Sequence, residues 1–162
     1  MVRSVSAILS LCLTAGFAAG AHAAVSFSCT VSASGINFGI YNPLNATADA
    51  AAGSWSVICT ATGSGSATVS GTLTLSTGNS GHYATRYMLS GTNKLNYNIY
   101  LTPSHTQILG DGTGGTIAPT DSGTVTAGQI YQVTGNMYGL VAAQQDVAAG
   151  GYSDAIVVTV TY

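Results

Sequence analysis

Ser26-Phe27-Ser28-Cys29-Thr30-Val31-Ser32 alternates apolar and small polar residues without a slip. Period-two patterning of this kind is what a β-strand with one dry and one wet face requires. The same pattern returns in residues 54–60, where Trp55, Val57 and Cys59 alternate with Ser54, Ser56 and Thr60. In both stretches a cysteine occupies an apolar position, so Cys29 and Cys59 are expected to face one interior. Further along, Val69, Leu73 and Leu75 alternate with Thr68, Ser70, Thr72 and Thr74, with Gly71 interrupting the apolar face as a predicted bulge. Leu95, Tyr97, Ile99 and Leu101 form another row, and Ile156, Val158, Val160 and Tyr162 a last one. Shorter strands are predicted at 83–89, 123–127, 130–134 and 136–142. Glycine-rich turns separate the rows, among them Gly63-Ser64-Gly65-Ser66 and Gly110-Asp111-Gly112. Nothing competes as an amphipathic helix, and many short strands with regular turns predict an all-β sandwich or barrel.

Upstream of the first strand, Met1-Val2-Arg3 precedes an apolar run through Leu13 and then Ala18-Ala19-Gly20-Ala21-His22-Ala23. One cation, a short apolar core and small residues at spaced positions are the pattern of a cleavable secretory signal, and the core is too short to span a bilayer. Cleavage is expected after Ala23, with Ala21 fitting the same rule. Residues 24–162 then form a single exported domain of a length able to bury its own core. Cys12 leaves with the signal, so Cys29 and Cys59 remain as an even pair in an oxidising compartment and are expected to form a disulfide.

Residues 24–162 hold only Arg86 and Lys94 as cations, against five aspartates and no glutamate. Neutralising a phosphate backbone takes a basic stripe, so nucleic-acid binding is excluded. Charged residues make up 5% of the whole chain, leaving Ser, Thr, Asn and Gly to solvate the surface. His82 and His105 stand alone in turn-rich loops, no serine sits in a nucleophile-elbow context, and Gly110-Asp111-Gly112 lacks the further carboxylates of a calcium loop. No catalytic residue, metal site or cofactor is assigned, and the protein is not expected to be an enzyme. The ending in Tyr162 is also the pattern of the last strand of an outer-membrane barrel. Such a barrel needs apolar outward positions around its whole circumference, whereas here the second face of most strands is Ser, Thr and Asn. No membrane insertion of the mature domain is therefore expected.

Taken in order, several fragments resemble the spore coat protein U family, which includes subunits of archaic chaperone-usher pili. They are Cys29-Thr30-Val31-Ser32-Ala33, Asn37-Phe38-Gly39-Ile40-Tyr41-Asn42-Pro43, Val57-Ile58-Cys59-Thr60, Arg86-Tyr87-Met88, Leu95-Asn96-Tyr97-Asn98-Ile99-Tyr100, Gly110-Asp111-Gly112-Thr113, Tyr138-Gly139, and residues 151–162. The resemblance implies an immunoglobulin-like antiparallel β-sandwich lacking its final strand. That strand would be supplied by β-augmentation, first from a periplasmic chaperone and then from a neighbouring pilus subunit delivered by an usher. The donor-strand groove is expected along Ile156, Val158, Val160 and Tyr162. Leu109 departs from the family, which usually has Trp before the Gly-Asp-Gly turn. A second departure is at the N-terminus, where only Ala24-Val25-Ser26-Phe27-Ser28 precede Cys29 and no separate donor extension is visible. The chain is thus expected to be a structural or adhesive subunit that accepts a strand and gives none, as at a pilus tip, reaching the cell surface through the periplasm. The alternative is a self-contained secreted coat or matrix protein whose sandwich closes on itself.

Overall fold

Eight strands take up the alternating stretches in a computed structural model that describes residues 25–162. The expected signal peptide, with both of its cleavage points, lies outside the described residues. In chain order the strands are β1 (Ser26–Ala33), β2 (Asp49–Thr62), β3 (Ser66–Leu75), β4 (Tyr87–Ser90), β5 (Asn93–Tyr100), β6 (Thr120–Thr126), β7 (Ile130–Val141) and β8 (Val158–Thr161). A single 3-10 turn, Gly78–Ser80, stands between β3 and β4. No α-helix occurs among the described residues, and none is long and apolar enough to cross a membrane.

The strands form two open antiparallel sheets, one of order β1-β2-β7-β5-β4 and one of order β6-β3-β8. They pack face to face as the expected immunoglobulin-like sandwich. Turn chemistry drives the changes of sheet: Gly63 and Gly65 carry positive φ between β2 and β3, and Gly128 does so between β6 and β7. Left-handed backbone of this kind is free of steric cost only at glycine. Cys29 and Cys59 are direct cross-strand partners in the β1–β2 ladder and form the expected disulfide. Val57, Cys59, Val69, Leu73, Leu75, Val125, Met137 and Val141 meet in the core between the sheets.

Four details differ from expectation. Gly71 makes no bulge, because β3 runs in unbroken register with β6 through Gly71↔Asp121 and with β8 through Leu73↔Val160. Its missing side chain opens a depression on the inner face instead. The predicted strand at 83–89 shrinks to Tyr87–Ser90, because Arg86 turns inward to bind carbonyl groups and breaks the alternation. The two strands predicted at 130–134 and 136–142 are one, β7, carried through Gly135 opposite Trp55. At the C-terminus the ladder with β3 covers only Val158–Thr161. Before it, Ser153 bridges to Leu89 of β4, so the terminal ribbon begins against one sheet and ends against the other.

Candidate functional site: an open cleft between two sheet edges

β1 is hydrogen-bonded along one edge to β2, and β8 along one edge to β3; among the described residues no strand pairs with the other edge of either. These two free edges lie beside each other, with the rings of Phe27 and Tyr162 5.8 Å apart. Burial follows the same asymmetry. Away from this side, Leu75, Leu109, Val125 and Val141 are almost wholly enclosed, at 0–1% exposure. On the β1/β8 side the inward residues Phe27, Cys29, Trp55, Ile156, Val158 and Val160 are only half-buried. The row Ile156, Val158, Val160 and Tyr162 singled out from the sequence therefore lies together along an apolar cleft.

Two depressions follow that row. One, of about 420 Å³, lies at Ile156 and Val158 over Met88, Tyr97, Ile99 and Met137. The other, of about 180 Å³, lies at Val160 and Tyr162 over Val57, Val69 and the disulfide. Aromatic rings rest on glycine in the floor of the first sheet. A β-carbon on Gly135 would sit 2.4 Å from the Trp55 ring, and one on Gly139 would sit 2.5 Å from the Phe38 ring, so a side chain at either position would force the ring to shift. The indole N–H of Trp55 is buried there without a hydrogen-bond partner among the described residues.

The ribbon leading into β8 is held by a polar cluster. Tyr97 donates its hydroxyl to Asp154 Oδ2 at 2.8 Å, and Asp154 Oδ1 accepts the amide N–H of Asn79 at 2.8 Å. Gly78, with φ +64°, lies so close beneath Asp154 that a β-carbon would come within 2.1 Å of the carboxylate. Next to this pair, Arg86 is 0% exposed. It donates from Nη1 to Asn98 Oδ1 and from Nη2 to the carbonyls of Ser76 and Leu109, each at 2.9 Å. Burial holds the Arg86 guanidinium below its ordinary value, and burial together with the bond to Asp154 pushes the Tyr97 phenol up. Arg86 and Tyr97 both lie in family-like fragments, but alternation alone assigns an arginine to the surface; the clue is one cation set between two tyrosines, Tyr83 and Tyr87, where a solvated face needs no aromatics.

The residues weighed for chemistry remain apart from the cleft. His82 is exposed, and His105 packs edge-on against Tyr100 with centroids 5.2 Å apart. Asp111 accepts from the amide and hydroxyl of Thr113 in a local turn, which lowers its carboxyl below the ordinary range. Among the described residues no three His, Cys, Asp or Glu side chains converge as metal ligands. Leu109, at the family's usual Trp position, is fully enclosed and not at the surface.

The Spore Coat Protein U domain model matches residues 14–159. The chain belongs to the Spore Coat Protein U domain family. No curated protein matches it significantly. Among solved structures it is similar to the CsuC–CsuE chaperone–tip adhesion subunit pre-assembly complex of the archaic chaperone-usher Csu pili of Acinetobacter baumannii. That similarity has a TM-score of 0.54 at 22% identity, covers 85% of this chain and spans 40% of the chain it matches. At that identity it establishes the fold, and it gives the spore coat protein U domain seen here the same sandwich architecture.

Proposed function

We propose that this protein is a subunit of a chaperone-usher fibre whose work is to accept a β-strand from another molecule. One observation carries the reading: two free sheet edges, β1 and β8, flank an apolar cleft whose inward residues are only half-buried. An edge strand presents unpaired N–H and C=O groups, and an uncovered apolar face invites aggregation, so the exported chain needs a periplasmic chaperone before assembly. About 5–6 residues of added strand cover the cleft. They complete the ladder along β8 while alternate side chains fill the two depressions. Membership of the family and the likeness to a chaperone–subunit complex support chaperone, usher and neighbouring subunits as partners.

A terminal place in the fibre fits the start of the domain. With cleavage after Ala23, the first mature residues enter β1 at once, and Ser26 already pairs with Thr62. A strand committed to its own sheet is not free to be donated. The signal peptide and the passage through the periplasm to the cell surface belong to this same reading.

Trp55 provides the test, because it is the chain's only tryptophan and lines the cleft. Titrating the mature protein with an alternating apolar peptide should shift the indole emission to the blue and raise the melting temperature. At 100 times Kd the stabilisation is about 2.7 kcal/mol. A mature chain that refolds alone to a stable monomer and ignores every such peptide would instead be the self-contained coat protein.

A further inference from the structure

The cleft continues beyond the start of β8. A third depression, of about 580 Å³, adjoins the one at Ile156 and Val158, and the two share Ile36, Phe38, Met88 and Tyr152. Their floors follow one inward row of β5, with Leu95 under the third depression and Tyr97 and Ile99 under the other. One wall is segment 33–43, and the other is the terminal ribbon over 147–158. Residue numbers rise along the first wall while they fall along the second, so the walls run in opposite directions. At the far end they are joined, because the Tyr41 hydroxyl donates to the Ala142 carbonyl at 2.9 Å and accepts the Gln145 amide N–H at 2.7 Å. Among the described residues no charged side chain lines this third depression.

Both walls also carry unpaired backbone. Among the described residues, 35–41 and 147–152 form no backbone–backbone hydrogen bond. Side chains take only the N–H of Gly39, bound to Asn37 Oδ1, and the carbonyl of Ala148, bound to the Tyr152 hydroxyl. On the first wall Ile40 is 96% exposed, a large aliphatic side chain with nothing over it. An apolar floor between two unpaired backbones fits an extended guest, whose N–H and C=O groups lie along its edges while every second side chain points down. An apolar patch on a folded domain would cover the floor yet offer the wall amides nothing. We infer that 36–41 and 147–152 form a second half of the acceptor site, filled by the continuation of the donated strand, with Ile40 at its lip. This inference rests on the strand-acceptor reading and adds the length and chemistry of the partner strand. About 5–6 residues lie along β8 and as many again pass the second half, and the inward side chains there are apolar and uncharged. The strand comes from a different protein, because among the described residues the alternating stretches of this chain are already strands of its own sheets; a second copy could supply one only by unfolding.

The experiment uses two labelled Val/Thr alternating peptides, one of about six residues and one of about twelve. Their binding to the mature protein is followed by fluorescence anisotropy, and amide hydrogen exchange is read with the longer one bound. The longer peptide is expected to bind about tenfold more tightly or better, and to slow exchange in 36–41 and 147–152 as well as in β8. Ile40→Asp, a change at a side chain that solvent already surrounds, should narrow the gap between the two lengths, and the melting temperature of the free variant checks that its fold is kept. Equal affinity for the two lengths, protection confined to β8, or a gap untouched by Ile40→Asp overturns the inference while leaving the strand-acceptor reading intact. Protection of 36–41 that grows with protein concentration in the absence of peptide makes a second copy the occupant and likewise overturns it. No binding by either peptide overturns both.

Discussion

Replacing Arg86 by methionine sets two opposed effects against each other, and the structure decides between them. Methionine fills much of the space and removes the cost of burying a cation, which for buried ionic groups often outweighs the attraction gained. Against that, among the described residues the guanidinium is the only side-chain partner of the Ser76 and Leu109 carbonyls. Asn98 Oδ1 keeps a second donor, the amide N–H of Ile99 at 2.9 Å. Two acceptors are thus orphaned, at about 1–3 kcal/mol each. Arg86 Nε has no partner among the described residues, so part of the desolvation cost is already unrelieved and returns on substitution. The net expectation is a loss of about 3 kcal/mol, or roughly 10 °C in melting temperature for a domain of this size. Arg86→Lys should lose nearly as much, because one ammonium cannot span acceptors that a planar fork reaches together. Thermal melts followed by far-ultraviolet circular dichroism measure both. An Arg86→Met protein melting within 2 °C of wild type, on the order of the error in such a comparison, would refute the dependence of these carbonyls on the guanidinium.

Three further outcomes are expected. Replacing Cys29 and Cys59 by alanine opens a loop closed across a sequence separation of 30, and the chain-entropy model puts the loss at about 3–4 kcal/mol, read from melts of the variant beside the wild type; equal melting temperatures would show the bond to be dispensable. Gly135→Ala forces the Trp55 ring aside, at a cost of about 1–3 kcal/mol, and should change the indole emission of the unliganded protein; unchanged emission would mean the ring does not rest on Gly135. For alkaline pH, the folded Tyr97 phenol holds its proton above the ordinary value of 10.0, so the folded state binds more protons than the unfolded one there. Stability from this group is complete below pH 10 and falls as pH rises past it. Melting temperatures from pH 8 upward should decline more steeply for wild type than for Tyr97→Phe, and parallel curves would exclude Tyr97 as the cause.

Alternation revealed most of the strands because each has one wet face, so apolar and hydroxyl residues mark its two sides directly. It revealed the disulfide partners for the same reason, since Cys29 and Cys59 occupy dry positions in strands that turn out to pair at that register. It failed where a side chain serves a neighbour in space instead of its own strand. Gly135, where the sequence predicts a break between two strands, and Gly139 and Gly123 are each the seat of an aromatic ring contributed by another segment or strand. The inward place of Arg86 left no mark in the alternation, because its three acceptors come from positions 10, 12 and 23 residues away.

A sandwich with one side uncovered has to keep that side in shape before anything covers it, and the two walls of the cleft achieve this differently. Among the described residues β1 has a single hydrogen-bonded neighbour, and its inward side chains are half-exposed, so burial and pairing together hold it weakly. The disulfide sits within that strand and fastens it to β2 at the point where the smaller depression opens. The opposite wall, β8, is four residues long, too short to hold its course alone. Its approach is fixed by Asp154, caught between the Tyr97 hydroxyl and the Asn79 amide, with Arg86 enclosed behind them. A cleft whose walls are tied before the guest arrives loses less conformational freedom on binding. Breaking either tie should therefore weaken strand acceptance by more than the lost stability alone, since binding must then also order the wall.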